Sequence, residues 1–183
     1  MANHGRMTTL PPEILRTARL RLRLVAPSDA AVYLEILNDP AFIEHIGDRG
    51  VRTMEAARTS IENGPMTMQR KRGHSMYLVE RLGDGQPVGL SGLIKRDGLE
   101  DVDLGYAFLP GYRGQGYAFE AAQGVVAHAR ELGIPRLAAI TTQGNTPSIQ
   151  LLLRLGMRYE GRRVVVAGEP ELNLYLMDLL DER

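Results

Sequence analysis

Leu109-Pro110-Gly111-Tyr112-Arg113-Gly114-Gln115-Gly116-Tyr117-Ala118 is the stretch on which the reading of this chain turns. Before it, residues 102–109 read as an apolar strand. After it, Ala118, Ala121, Ala122, Val125, Ala129 and Leu132 recur at helical spacing until Gly133, with Pro135 beyond. The glycines therefore stand between a strand and the N-terminus of a long helix. Unpaired N–H groups and the positive end of the helix dipole favour an anion there, and glycine lets a phosphate approach the main chain. A pyrophosphate fits this description. The spacing is neither G-x-G-x-x-G nor G-x-x-x-x-G-K-[ST], and no lysine follows, so neither a dinucleotide fold nor a P-loop is supported. On the residues alone, an anion site competes with a turn that merely connects.

Working outward, Leu20, Leu22 and Leu24 alternate with Arg19, Arg21 and Arg23, the period of a strand with one buried face. Pro27-Ser28-Asp29 opens a helix to about Leu37, with Ser28 or Asp29 available as its cap, and Asn38-Asp39-Pro40 ends it. A second helix covers residues 53–63 and stops at Gly64-Pro65, and the residues between the two helices read as loop. Strands follow over 75–81 and 88–94, joined by Gly83-Asp84-Gly85-Gln86-Pro87 as a hairpin, and then over 102–109. Residues 137–142 form a buried strand between helices, 146–155 a short helix closed by Gly156, and 158–166 and 171–179 two last strands. The pattern is α/β: one domain with a mixed, mostly antiparallel sheet of about seven strands flanked by about four helices.

Composition limits what this domain does. Its 183 residues are 44% apolar and 24% charged, the size of one compact domain. Lys plus Arg and Asp plus Glu total 22 each, so there is no charge excess for a nucleic acid or an anionic bilayer. The longest apolar run, five residues from Ala30 to Leu34, falls well short of the roughly 20 needed to span a membrane. With no signal-like segment near Met1, a cytoplasmic location is expected. The absence of cysteine excludes a thiol nucleophile and thiolate metal sites. His4, His45, His74 and His128 lack metal-ligand spacing, so no metal is expected.

Arg113-Gly114-Gln115-Gly116-Tyr117-Ala118 resembles the R/Q-x-x-G-x-G/A signature of the GNAT superfamily of N-acetyltransferases. Further segments resemble its RimJ/RimL branch in order and spacing: residues 17–23, Asp103-Leu104-Gly105-Tyr106, Glu120-Ala121, Asn145-Thr146-Pro147-Ser148, and residues 155–161. The likeness runs from about Ala18 to Leu179 and implies a GNAT domain over 17–181 after an N-terminal extension of 1–16. It also implies a sheet split between its fourth and fifth strands.

The resemblance implies acetyl-CoA as co-substrate and an amine acceptor, a protein N-terminus or a small molecule. It leaves room for a homodimer. Backbone groups of Phe108 and Leu109 would pair with the pantetheine arm. Amides of Arg113, Gly114, Gln115, Gly116, Tyr117 and Ala118 would take the pyrophosphate, and the Asn145 side chain, also suited to capping the helix it precedes, would bond a pantetheine amide. The implied reaction is direct attack by a neutral amine on the thioester within a ternary complex. Many family members place a Tyr four residues after the Ser148 position to protonate the leaving thiolate. Here Leu152 stands there, which leaves Ser148 as the candidate donor and keeps open an alternative, an acyl-CoA-binding module without turnover. Asp103 occupies the position of a family glutamate and is the candidate general base, with Asp101 on the same face; on the residues alone, both equally suit a solvated outer face. Glu44 and His45 are weaker candidates for that task, His45 reading more readily as a surface side chain. Glu120 is sufficiently explained by the helix dipole.

Overall fold

A computed structural model of the chain describes residues 11–180. Eight strands form one sheet: β1 (Glu13–Arg16), β2 (Leu20–Leu24), β3 (Met76–Arg81), β4 (Pro87–Ile94), β5 (Val102–Phe108), β6 (Arg136–Thr141), β7 (Arg158–Arg163) and β8 (Leu172–Asp178). Their order is β1-β2-β3-β4-β5-β6-β8-β7, and every neighbouring pair is antiparallel except β5 and β6. The strand beyond the expected seven is β1, which pairs with β2 and lies within the anticipated extension. Residues 1–10 of that extension, and the expected limit at 181, lie outside the described residues.

The helices are α1 (Ala30–Leu37), α2 (Pro40–His45), α3 (Met54–Ile61), α4 (Thr67–Arg72), α5 (Tyr117–Glu131) and α6 (Thr146–Leu155). Side-chain alternation along the strands sorts the buried residues between two faces, with a smaller cluster of Leu99, Ala138 and Leu174 beside the two main ones. On one face, Leu20, Leu22, Tyr77, Val79, Leu93, Leu104 and Leu137 pack with Ala121, Val125 and Ala129 of α5 and Leu152 of α6. On the other, Leu78 and Leu90 pack with Ile36 and Leu37 of α1 and Ala57 and Ile61 of α3.

Three local readings are corrected. The segment after Asn38 is a helix, because Asp39 caps α2 by accepting the Phe42 N–H and Pro40 needs no amide partner in a first turn. Gly64-Pro65 does not end the second helix. The backbone widens into a π turn over Glu62–Met66, the Thr67 hydroxyl donates to the Glu62 carbonyl at 2.7 Å, and α4 follows. Arg23 is buried rather than solvated, held bidentately by Asp29 at 2.8 and 2.9 Å and by Glu80 at 2.7 Å. Asp29 is therefore committed to that guanidinium, and no side chain caps α1.

Candidate active site

The glycine-rich segment leaves β5 through a 3-10 turn over Pro110–Tyr112 and enters α5. Gly114 and Gly116 have φ of +74° and +81°, the left-handed region that side chains resist, so both turns require glycine. The Arg113 amide is bonded to the Pro110 carbonyl, and the first bond inside α5 is Glu120 N–H to Gly116 O. The amides of residues 114–119 have no partner among the described residues, and Gly116 offers no capping side chain. Residues 113–116 are exposed. An exposed run of free N–H groups at a helix start is an anion cradle.

Arg113 itself turns away. Its Nε donates to the Phe108 carbonyl at 2.9 Å and its Nη2 meets Asp39 at 2.5 Å. Arg19 approaches instead, donating to the Gln115 carbonyl at 2.9 Å with its guanidinium carbon 4.5 Å from the centre of the Tyr117 ring. Glu120 anchors this arrangement, which the dipole argument missed. It accepts from the Thr17 hydroxyl at 2.5 Å, the Arg19 amide at 3.0 Å and Arg19 Nε at 2.8 Å, tying the β1–β2 turn to α5.

Beside the cradle the sheet parts. β5 and β6 pair only at Val102 with Leu137 and Asp103 with Ala138, then diverge. The split thus falls between the fifth and sixth strands, shifted by one in count because β1 precedes the strands anticipated. Leu109 N–H bonds the Val88 carbonyl, so ladder alternation turns the backbone of Leu104, Tyr106 and Phe108 toward the opening. Of the two expected pantetheine partners, Phe108 faces the opening while the Leu109 amide is already bonded to β4.

Asp103 sits where the strands separate and is only 1% exposed, so it does not solvate an outer face. One carboxylate oxygen takes Arg96 Nε at 2.6 Å, and the other, Oδ1, has no partner among the described residues. Burial pushes this carboxyl up to about 6, against the pull of Arg96. Asp101 plays no part in that shift. It pairs with Arg136 at 2.9 Å.

Across the opening, Ser148 lies in the first turn of α6, its amide 3.4 Å from Asn145 Oδ1. Asn145 therefore caps the helix weakly through its oxygen, while its side-chain N–H groups have no partner among the described residues. Ser148 Oγ is 2.5 Å from the hydroxyl of Tyr106, a residue to which the sequence reading gave no role. The period of two along β5, which sets Tyr106 beside Leu104 and Phe108, was the available signal. Leu152 is buried in the core.

Helix α2 crosses the mouth. At its start Asp39 holds Arg113, just past β5; at its end His45 Nδ1 is 2.8 Å from Thr142 Oγ1, just past β6. The His45 side chain is 26% exposed and anchored, whereas Glu44 is 74% exposed and 3.8 Å from His45 Nε2. Among the described residues no group of three or more His, Asp or Glu is placed to hold a metal ion.

A parted sheet beside a run of free helix-start amides is an arrangement that can receive an extended anionic ligand. The family model described as Acetyltransferase (GNAT) domain matches residues 19–158, and the chain belongs to the GNAT family of acetyltransferases. It is 28% identical over 152 residues to YoaA of Bacillus subtilis, an uncharacterised N-acetyltransferase, covering 81% of this chain and 84% of that one. A GNAT-family acetyltransferase from Bacillus anthracis has a similar structure, with a TM-score of 0.74 at 26% identity, covering 90% and 98% of the two chains. A RimL ribosomal L7/L12 α-N-protein acetyltransferase solved with coenzyme A shares the fold at a TM-score of 0.78 and 17% identity, over 92% and 98%.

Proposed function

We propose that this chain transfers an acetyl group directly from acetyl-CoA to a primary amine, a protein N-terminus or a small molecule, within one ternary complex. The observation that carries the reading is the run of six unpartnered amides, residues 114–119, opening beside the parted strands. That run suits a diphosphate, and the backbone of Tyr106 and the amide of Phe108, whose carbonyl already accepts from Arg113, suit the amide-bearing arm that follows it. The coenzyme A bound by the RimL neighbour supports the assignment. The side-chain N–H groups of Asn145 are the donors available to the same arm.

The two sides of the sheet divide the chemistry. Asp103 alternates with Leu104 and Tyr106, so its carboxylate faces away from the α5 and α6 side where Ser148 stands. An amine entering past α2 would pass its proton through a water to Asp103, whose Oδ1 is buried and has no partner among the described residues. Near neutral pH this buried acid is ionised and still basic enough to serve. The neutral nitrogen attacks the thioester carbonyl, the C–S bond breaks as the C–N bond forms, the nitrogen's surplus proton passes to water, and Ser148 donates a hydrogen bond to the sulfur, which departs as the thiolate.

Leu152, where many relatives carry a tyrosine, favours the second reading, an acyl-CoA binder without turnover. A free-thiol assay with acetyl-CoA and a panel of peptides and small amines separates the two. Amine-dependent thiol release supports the enzyme; tight binding with no release across the panel overturns it.

A further inference from the structure

The 2.5 Å contact between Tyr106 and Ser148 joins two hydroxyls of unequal acidity. Either hydroxyl can donate across this contact, and because a phenol is the stronger acid the arrangement with Tyr106 as donor and Ser148 Oγ as acceptor is favoured. Ser148 Oγ has no other partner among the described residues, so its own O–H is the one donor of the pair left for a ligand. Geometry also fixes which group moves. Tyr106 is mounted on β5, with its ring against the main core, whereas Ser148 is a short side chain in the first turn of α6. A serine with three open rotamers is thereby held in one.

We infer that Tyr106 is a positioning residue for acyl transfer, orienting Ser148 and polarising its O–H toward the leaving sulfur, and so supplying from β5 the phenol that Leu152 fails to supply from α6. This rests on the acetyl-transfer reading above. The sulfur departs with the electron pair of the broken C–S bond, and Tyr106 passes it no proton. Burial holds the Tyr106 phenol up at about 12, well above an ordinary thiol at about 8.5, so the phenol stays protonated while the thiolate forms. Its contribution is a chain of two hydrogen bonds, the inner strengthening the outer.

The test reads the sulfur itself and needs no acceptor. Coenzyme A is bound to the protein, its affinity measured by calorimetry, and the thiol titrated by its ultraviolet thiolate absorbance. In the wild type the bound thiol should titrate about one unit below the free coenzyme, a tenfold gain in thiolate. Tyr106→Phe should remove most of that shift while changing coenzyme affinity by less than about threefold, and Ser148→Ala should remove as much. The double variant should show no further loss, because Tyr106 acts through Ser148. An unmoved thiol in Tyr106→Phe, or an equal additional effect of that change in the Ser148→Ala background, overturns the positioning role alone. Failure of the wild type to bind coenzyme A overturns this inference and the acetyl-transfer reading together.

Discussion

Arg113, although it belongs to the signature turn, sends its guanidinium to Asp39, with Nη2 and Oδ2 2.5 Å apart. The contact joins the cradle to the helix across the mouth of the split. A residue that looks like a phosphate ligand thus holds α2, past which the proposed acceptor would enter. Arg113→Gln should therefore leave acetyl-CoA affinity within about threefold while raising the acceptor KM about tenfold and speeding amide exchange in α2. Calorimetry beside steady-state kinetics checks this; a tenfold loss of donor affinity with an unchanged acceptor KM would return Arg113 to the phosphates.

Gly116 is held at φ +81°, and a Cβ there would lie 3.3 Å from Arg19 Nη2. Gly116→Glu adds bulk, backbone strain and a negative charge beside the free amides. Coenzyme binding should weaken by at least about a hundredfold, near 2.7 kcal/mol. Unchanged affinity in calorimetry would mean that the diphosphate is held elsewhere.

Ser148→Ala should lower kcat by roughly ten- to a hundredfold and leave the KM for acetyl-CoA nearly unchanged, the pattern of a contact made mainly in the transition state. An unaffected rate would remove the hydroxyl from the chemistry.

The acid limb of kcat/KM should report Asp103. Its carboxyl is pushed up to about 6, and proton abstraction needs the ionised form, so activity should rise with pH through that value. Asp103→Asn should cost about a hundredfold and abolish the limb. If the limb survives in that variant, the base is another group, with the anchored His45 the next to replace.

Stability should carry its own pH dependence. His74 and His128 are both pulled below the ordinary imidazole value, chiefly by burial; His74 Nδ1 lies 3.1 Å from the Leu93 carbonyl and His128 Nε2 3.2 Å from the Tyr77 hydroxyl. As pH falls through the ordinary value of about 6.5, the unfolded chain takes up protons that the two native histidines resist, so their contribution to stability drops, while Asp103, pushed up to about 6, takes up a proton in the native state and works in the opposite sense below that value. The difference in thermal midpoint between the wild type and the His74→Gln, His128→Gln variant, followed from about pH 7.5 down to 5, should show this loss, because the Asp103 contribution is common to both.

The legible parts of the fold were those written in neighbouring residues. The Leu–Arg alternation of β2, the period of α5 and the turn between β5 and α5 each state their own geometry. Asp39-Pro40 carried two signals, a stop for α1 and a cap with a first-turn proline for α2, and only the first was taken. What stayed hidden depends on distant partners. Burial of Arg23 follows from Glu80, the environment of Asp103 from Arg96 and the core around it, and the anchoring of His45 from Thr142. No local pattern states such pairings.

Under the proposed reading, the divergence of β5 from β6 couples the durability of the protein to occupancy by its donor. Strand edges and helix-start amides that the native chain does not satisfy exist only while it is folded, so a donor that satisfies them draws the population toward the native state. At a free concentration a hundred times its dissociation constant, that donor would add about 2.7 kcal/mol against unfolding. Resistance to proteolysis would then rise with the concentration of that donor.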